Sequence, residues 1–191
     1  MSNQKLSASL AAASEPVLLT RPVRLAYGWT SAVLAGGRLL AVEWEERVAD
    51  LRRATAARYP GAETVDARDH AAGRHLLAYA AGARVAMIEG EGIPIAWERV
   101  GEFDRAVLRA TAAIPYGVTA AYGEIAARAG KAGAARAAGA ALSRNPWPVI
   151  VPCHRVVGAR GDLVGFGKGV AAKRALLRFE SGALSSPRRA Q

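Results

Sequence analysis

The residues best equipped for chemistry stand together at Pro152-Cys153-His154-Arg155-Val156-Val157, reached through the apolar run Val149-Ile150-Val151. Cys153 is the single cysteine in 191 residues, so it cannot close an internal disulfide, and a metal would find only one thiolate. A packed thiol or a nucleophile remains. At an ordinary pKa of about 8.5 a thiol is only a few per cent ionised at neutral pH, so a working cysteine needs a nearby base or cation. His154 supplies the first and Arg155 the second. Adjacent side chains of an extended segment point to opposite faces, so His154 faces Cys153 directly only if the chain turns; otherwise a water must carry the proton. Prolines at 146, 148 and 152 favour a bend, because each fixes its own φ and biases its predecessor away from helix.

The elements that must hold this segment are mostly helical. Residues 103–113 form a helix with Phe103, Val107, Leu108 and Thr111 on one side. A short helix at 122–129, a turn at Gly130-Lys131-Ala132-Gly133 and a second helix at 134–143 have the spacing of a helix-turn-helix, a pattern shared by many helical hairpins. The second helix is nearly bare, with Ala134, Ala135, Ala137, Ala138, Ala140 and Ala141 around one long side chain, Arg136. Such a surface fits a narrow groove in a partner, or equally the face of another helix. Asn145 opens the turn Asn145-Pro146-Trp147-Pro148, where a side-chain amide can bond the backbone. Gly165, Gly167 and Gly169 imply either backbone close to a ligand or a mobile surface loop. The last helix, 170–179, places Leu176, Leu177 and Phe179 inward and Lys173, Arg174 and Arg178 outward, and ends at Glu180.

The first hundred residues read differently. Strand-like pieces at 25–29, 31–35 and 38–44, with a two-residue hairpin signal at Gly36-Gly37, precede helices at 47–59 and 69–81 and a loop and strand at 82–100. The fold class is α+β: a small antiparallel sheet with helix, of ribonuclease-H-like build, followed by a mostly helical part carrying the helix-turn-helix and the cysteine loop. The boundaries are a disordered tail at 1–22, an α/β domain at 23–100, a second domain at 101–182 and a basic tail at 183–191. His70 and His75, with Asp66 or Asp69, invite a metal reading, but a spacing of five turns the second ligand about 140° from the first on a helix. No metal is expected there.

A net charge of +10 and a pI near 10.6 fit a polyanionic partner or, equally, a basic proteome rich in Arg and Ala. No run approaches the roughly 18 apolar residues of a membrane span. Ser7 and Ser9 interrupt the small-residue start, so it reads as a tail rather than a signal peptide. A lone thiol fits a reducing, cytoplasmic location.

From Asn145 to Val157 the chain resembles the active-site signature of the O6-alkylguanine-DNA alkyltransferases, also called methylated-DNA-protein-cysteine methyltransferases. The likeness runs from Phe103 to Glu180, through Ile114 to Ala126, through Ala134-Ala135-Arg136-Ala137 and through Gly165 to Lys173, in the family's order and spacing. The first hundred residues match only in general build.

The resemblance implies direct reversal of DNA damage. Duplex DNA carrying O6-alkylguanine is the partner, no cofactor is needed, and one alkyl group passes irreversibly to Cys153, with transfer from O4 of thymine left open. It assigns Glu180, His154 and a water as the relay that deprotonates the thiol, and Tyr122 as donor to the leaving base. It places Arg136 in the gap left by a flipped nucleotide, with Ala134, Ala135, Ala137 and Ala140 as clearance in the minor groove. Asn145 becomes the hinge behind the cysteine, and Val156, Val157, Phe166 and Lys168 the base pocket. The protein is expected to be a monomer, with cooperative assembly on DNA left open. Ala121, Asp104, Leu108, Phe166 and Lys168 depart from residues common among relatives, and Lys168, where relatives often have Gly, suggests a bulkier, more cationic wall that disfavours large alkyl groups. A binding module without transfer and a Cys-His acyl hydrolase are the alternatives.

Overall fold

A computed structural model of the chain describes residues 15–84 and 92–182. The expected tails at 1–14 and 183–191 lie outside the described residues. Within the stretch read as a tail, however, β1 (Leu18–Thr20) is a strand, and β2 (Val23–Arg24) follows just beyond it. Both lie antiparallel along one edge of β3 (Trp29–Ala35), with Leu19 opposite Val33 and Val23 opposite Thr30. Runs this short show no period of two, so only the free edge of β3 reveals them.

The other edge of β3 pairs with β4 (Arg38–Glu45) through the expected hairpin, whose Gly36 and Gly37 have φ of 57° and 69°. Such left-handed values cost glycine little and favour the twist of a two-residue turn. The strand expected at 25–29 is instead a turn closed by Leu25 N–H to the Gly28 carbonyl at 3.0 Å. A side chain at Gly28 would collide with Trp44 Nε1, so that turn packs directly on β4.

Helix α1 (Val48–Arg58) crosses over and returns the chain to β5 (Glu63–Val65), which runs parallel to β1. The sheet is therefore mixed rather than purely antiparallel. Helix α2 (Ala71–Ala80) follows a short 3-10 turn. Alternate residues of β3 feed two clusters: Ala32 and Leu34 join Leu76 and Tyr79 of α2 in the large core, whereas Val33 joins Tyr59 in a smaller one. Covered in this way, the sheet buries both of its faces.

The free edge of β4 receives the rest of the chain. Leu39 pairs with Pro94 and Ala96, where the strand expected within 82–100 is a single bridge at Ile95. Val42 N–H donates to the Pro146 carbonyl at 2.8 Å, and buried Trp147 Nε1 donates to the Leu40 carbonyl at 3.0 Å. An exposed edge would carry unpaired amides. Here it fixes the turn that leads to Cys153.

Helices α3 (Glu102–Ala112), α4 (Tyr122–Arg128), α5 (Ala135–Ser143) and α6 (Gly169–Glu180) build the second half. Asp104 ties α3 to the end of α5 through both oxygens to Arg144, at 2.7 and 2.8 Å. Two-residue strands β6 (Ala120–Ala121) and β7 (Val156–Val157) pair in parallel and fasten the start of α4 beside the cysteine turn. The large core runs through both halves of the chain, with Leu34 and Leu76 in the same cluster as Leu108, Ile125 and Leu176. Among the described residues no helix is long and apolar enough to cross a membrane.

Candidate active site

Val149-Ile150-Val151 is not a strand. Val149 sits at φ 72°, a rare and strained value for a β-branched residue. Val151 N–H bonds back to the Trp147 carbonyl at 2.7 Å, and Cys153–Arg155 form a 3-10 turn. The segment thus bends, as its prolines favour, although the ring of His154 meets Glu180 rather than the sulfur. Asn145 holds it from inside: its Oδ1 accepts from Trp147 N–H at 2.9 Å while its Nδ2 donates to the Val151 carbonyl at 2.9 Å and to Cys153 Sγ at 3.2 Å.

His154 and Glu180 come together although 26 residues apart. His154 Nε2 lies 2.6 Å from Glu180 Oε1, and neither side chain has solvent access. The opposite ring nitrogen, Nδ1, is buried without a protein hydrogen bond. Burial lowers the His154 pKa, against the pull of Glu180, so the ring is neutral. Burial would raise the Glu180 carboxyl, but hydrogen bonds from His154 and Arg155 and the charge of the guanidinium outweigh it and bring it to about 2. A neutral ring donating from Nε2 to a carboxylate leaves Nδ1 as a base.

Arg155 does not serve the thiol. Its guanidinium turns away to Glu180, Nε to Oε2 at 2.9 Å and Nη2 to Oε1 at 3.0 Å, with Nη1 on the Ile114 carbonyl at 2.7 Å. The cation that acts on Cys153 is Lys173, expected on the outer face of the last helix but completely buried. Its Nζ donates to the Val164 carbonyl at 3.0 Å and to Tyr122 Oη at 3.4 Å. Burial pushes the Cys153 thiol up, opposed by Asn145 and Lys173. The sulfur is therefore a thiol until a base takes its proton, rather than a standing thiolate.

Cys153 is 8% exposed, yet it opens onto two cavities. The larger, about 870 Å³, is bounded by Tyr122 on α4, Ala135 and Arg136 on α5, and Val164, Gly165 and Phe166 on the glycine loop. The smaller, about 330 Å³, lies toward β4 and includes Glu45, Asn145 and Lys168. Of the residues expected to wall a base pocket, Phe166 lines both cavities and Lys168 only the smaller. Val156 and Val157 are buried in β7 and line neither. Ala134, Ala137 and Ala140 do not line the larger cavity, and Ala137 and Ala140 are exposed beside it. Tyr122 Oη donates to the Val164 carbonyl at 3.1 Å. His70 caps α2 and His75 is buried within it; among the described residues no group of three or more His, Cys, Asp or Glu could hold a metal.

Known proteins are similar to this chain. The sequence model of a family described as "6-O-methylguanine DNA methyltransferase, DNA binding domain" matches residues 102–182. Methylated-DNA--protein-cysteine methyltransferases of Mycobacterium leprae and Salmonella typhimurium are 56% and 51% identical over 79 and 78 residues, each match covering 41% of this chain. These matches span about half of those relatives, 48% and 46%. The crystal structure of Mycobacterium tuberculosis OGT in complex with DNA superimposes with a TM-score of 0.69 at 32% identity, over 89% of this chain and 96% of that one. The chain belongs to the O6-methylguanine-DNA methyltransferase family. The family's fold extends to an archaeal member from Pyrococcus kodakaraensis, at a TM-score of 0.65 and 22% identity.

Within this methyltransferase fold, sequence reasoning singled out Cys153, His154, Glu180, Asn145 and Tyr122; the structure puts Asn145 on the sulfur, joins His154 to Glu180 and sets Tyr122 and Cys153 on one cavity. It missed two residues of the constellation. Lys173 was hidden because a lysine at helical spacing reads as solvated. Tyr79 of α2, whose hydroxyl donates to Glu180 Oε1 at 2.9 Å, lies 101 residues away in sequence, and no local signal links the two.

Proposed function

We propose that this chain repairs duplex DNA by accepting the alkyl group of O6-alkylguanine on Cys153, once per molecule. Residues 101–182 do the binding and transfer, residues 23–100 support them, and the protein works in the cytosol, where its lone thiol stays reduced. The observation that carries the reading is the position of Cys153: it lines the cavity that Tyr122 and Arg136 also bound, its Sγ is hydrogen-bonded by Asn145, and a buried His154–Glu180 pair follows it directly.

Chemistry on a stacked base requires its extrusion, at a cost of a few kcal/mol. Helices α4 and α5 act as a helix-turn-helix in the minor groove, the small face of α5 giving clearance and Arg136 filling the vacated stack. In the transfer step, Sγ forms a bond to the alkyl carbon as the carbon–O6 bond breaks, and the electron pair remains with guanine. The thiol proton passes through a bridging water to His154 Nδ1, where Glu180 stabilises the imidazolium. Guanine leaves neutral, taking a proton from Tyr122, which Lys173 can resupply. The thioether has no leaving group, so the protein is consumed.

Incubation with a duplex carrying O6-methylguanine, followed by intact-protein mass and peptide mapping, tests the reading. One methyl group per chain on Cys153 is the expected result. Binding without a mass gain would leave only a recognition module, and product exceeding one equivalent would indicate a hydrolase.

A further inference from the structure

Tyr79 is fully buried on α2, in the amino-terminal half, and its hydroxyl donates to Oε1 of Glu180, the same oxygen that faces His154 Nε2. Its ring packs edge-on against His154 at 6.3 Å between centroids and beside Tyr116 and Phe179. We infer that Tyr79 is a positioning residue of the transfer reaction, through which the amino-terminal half sets how strongly Glu180 holds a proton on His154. This rests on the relay proposed above and extends it to a residue outside the DNA-binding half.

The argument is one of competition for a single oxygen. A carboxylate stabilises an imidazolium best when its charge is not already shared with other donors. Oε1 is shared by Tyr79, His154 and Arg155, and Oε2 by Arg155 and the Gly117 amide. Arg155 and Gly117 hold the carboxylate in place whether or not Tyr79 donates. Loss of the Tyr79 hydroxyl therefore changes the charge on Oε1 more than its position. The groups facing the pair are Tyr79 from α2, Tyr116 from the loop after α3, Cys153 and Arg155 from the cysteine turn, and Lys173 from α6. Of these, Arg155 and Lys173 are basic side chains, and burial keeps the Tyr79 hydroxyl protonated. Tyr79 is thus the donor that can be removed without deleting a charge.

The sign follows. Tyr79→Phe leaves Glu180 with more charge to offer, so His154 binds a proton more tightly and serves as base only at higher pH. Replacement of Tyr79 by 3-fluorotyrosine makes a stronger donor and has the opposite effect.

The test measures single-turnover methyl transfer against pH for wild type, Tyr79→Phe and the 3-fluorotyrosine protein, with the three histidines followed by NMR. The acid limb of the rate, and the His154 titration with it, is expected to move up by about one pH unit in Tyr79→Phe and down in the fluorinated protein. A merely structural Tyr79 would slow transfer equally at all pH values and leave both limbs in place, and that result overturns the inference. Should Tyr79→Phe fail to fold, the fluorinated protein, which keeps ring and hydroxyl, decides alone. Absence of transfer by wild type would instead sink the relay itself, a distinguishable outcome.

Discussion

Arg155 and Glu180 meet as a two-pronged pair, Nε on Oε2 at 2.9 Å and Nη2 on Oε1 at 3.0 Å, with no solvent access to either side chain. A guanidinium stripped of water in this way depends on its carboxylate. Removing one partner of a buried pair costs roughly 3–5 kcal/mol, because the other is left uncompensated. Glu180→Gln is therefore expected to lose stability of that order as well as transfer activity. Urea unfolding at neutral pH measures the first, and a variant as stable as wild type would contradict the arrangement.

The same pair sets the response to acid. Glu180 has a folded pKa of about 2 against an ordinary 4.5. A depressed carboxyl stabilises the fold fully above its unfolded pKa and loses that contribution as pH falls toward the folded value. The difference corresponds to about 3 kcal/mol, lost between pH 4.5 and about 2. The lowered His154 pKa acts in the same direction, since the unfolded imidazole takes up a proton first, beginning near its ordinary 6.5. Wild-type stability should fall steeply below about pH 4.5, while Glu180→Gln, already weaker, should fall less over that interval.

Asn145 stands between the turn and the sulfur. Its Nδ2 is the side-chain donor to Sγ, and hydrogen bonds to charged groups contribute about 1.5–3 kcal/mol. As the thiol becomes a thiolate this bond strengthens. Asn145→Ala is expected to slow transfer about 10- to 100-fold and to shift alkylation of Cys153 by iodoacetamide to higher pH. Asn145→Asp, which sets a carboxylate beside the developing negative charge, should be slower still at neutral pH. Equal pH profiles for all three proteins would leave Asn145 as a turn brace alone.

How much of this was written locally in the chain can be judged from those residues. The cysteine motif, the helix pair and the last helix follow from types and spacing that act over a few positions. Gly36-Gly37 likewise announces its hairpin, because glycine takes the left-handed φ of that turn at little cost. The tight turn at Val149 was not legible, since an apolar β-branched run reads as strand and one of its anchors, Trp147 on Leu40, reaches a distant strand. Nor was the destination of Arg155, because its partner arrives from another helix. Burial of Lys173 depends on the Val164 and Gly165 carbonyls, which a loop supplies only after the chain has folded.

The glycine loop is held from two sides. Phe166 meets Trp44 edge-on at 6.0 Å and Lys168 Nζ reaches Glu45 at 3.1 Å, while Tyr122 and Lys173 grip its Val164 carbonyl. An exposed ion pair contributes about 0–1 kcal/mol and an aromatic pair roughly 0.5–1.5 kcal/mol beyond its burial. Phe166→Ala should therefore widen the larger cavity more than Glu45→Ala does. The expected outcome is a rise of up to about tenfold in the ratio of benzyl to methyl transfer for Phe166→Ala and little change for Glu45→Ala. If the two variants leave that ratio alike, the loop's attachment to β4 does not set the size of group accepted.

In the proposed mechanism Arg136 serves recognition of the duplex rather than chemistry at the sulfur. It is exposed on α5 and bounds the larger cavity. Filling the place of an extruded nucleotide offsets part of the few kcal/mol that unstacking costs. Loss of that side chain is felt only when there is a stack to fill. Arg136→Ala should accordingly slow methyl transfer from duplex DNA by one to two orders of magnitude and leave reaction with free O6-methylguanine base nearly unchanged. Duplex binding by both proteins should weaken as salt rises, with a slightly shallower slope for the variant if Arg136 also meets a phosphate. Equal losses on duplex and free base would place Arg136 in the chemistry instead, and would leave the extruded base without its substitute in the stack.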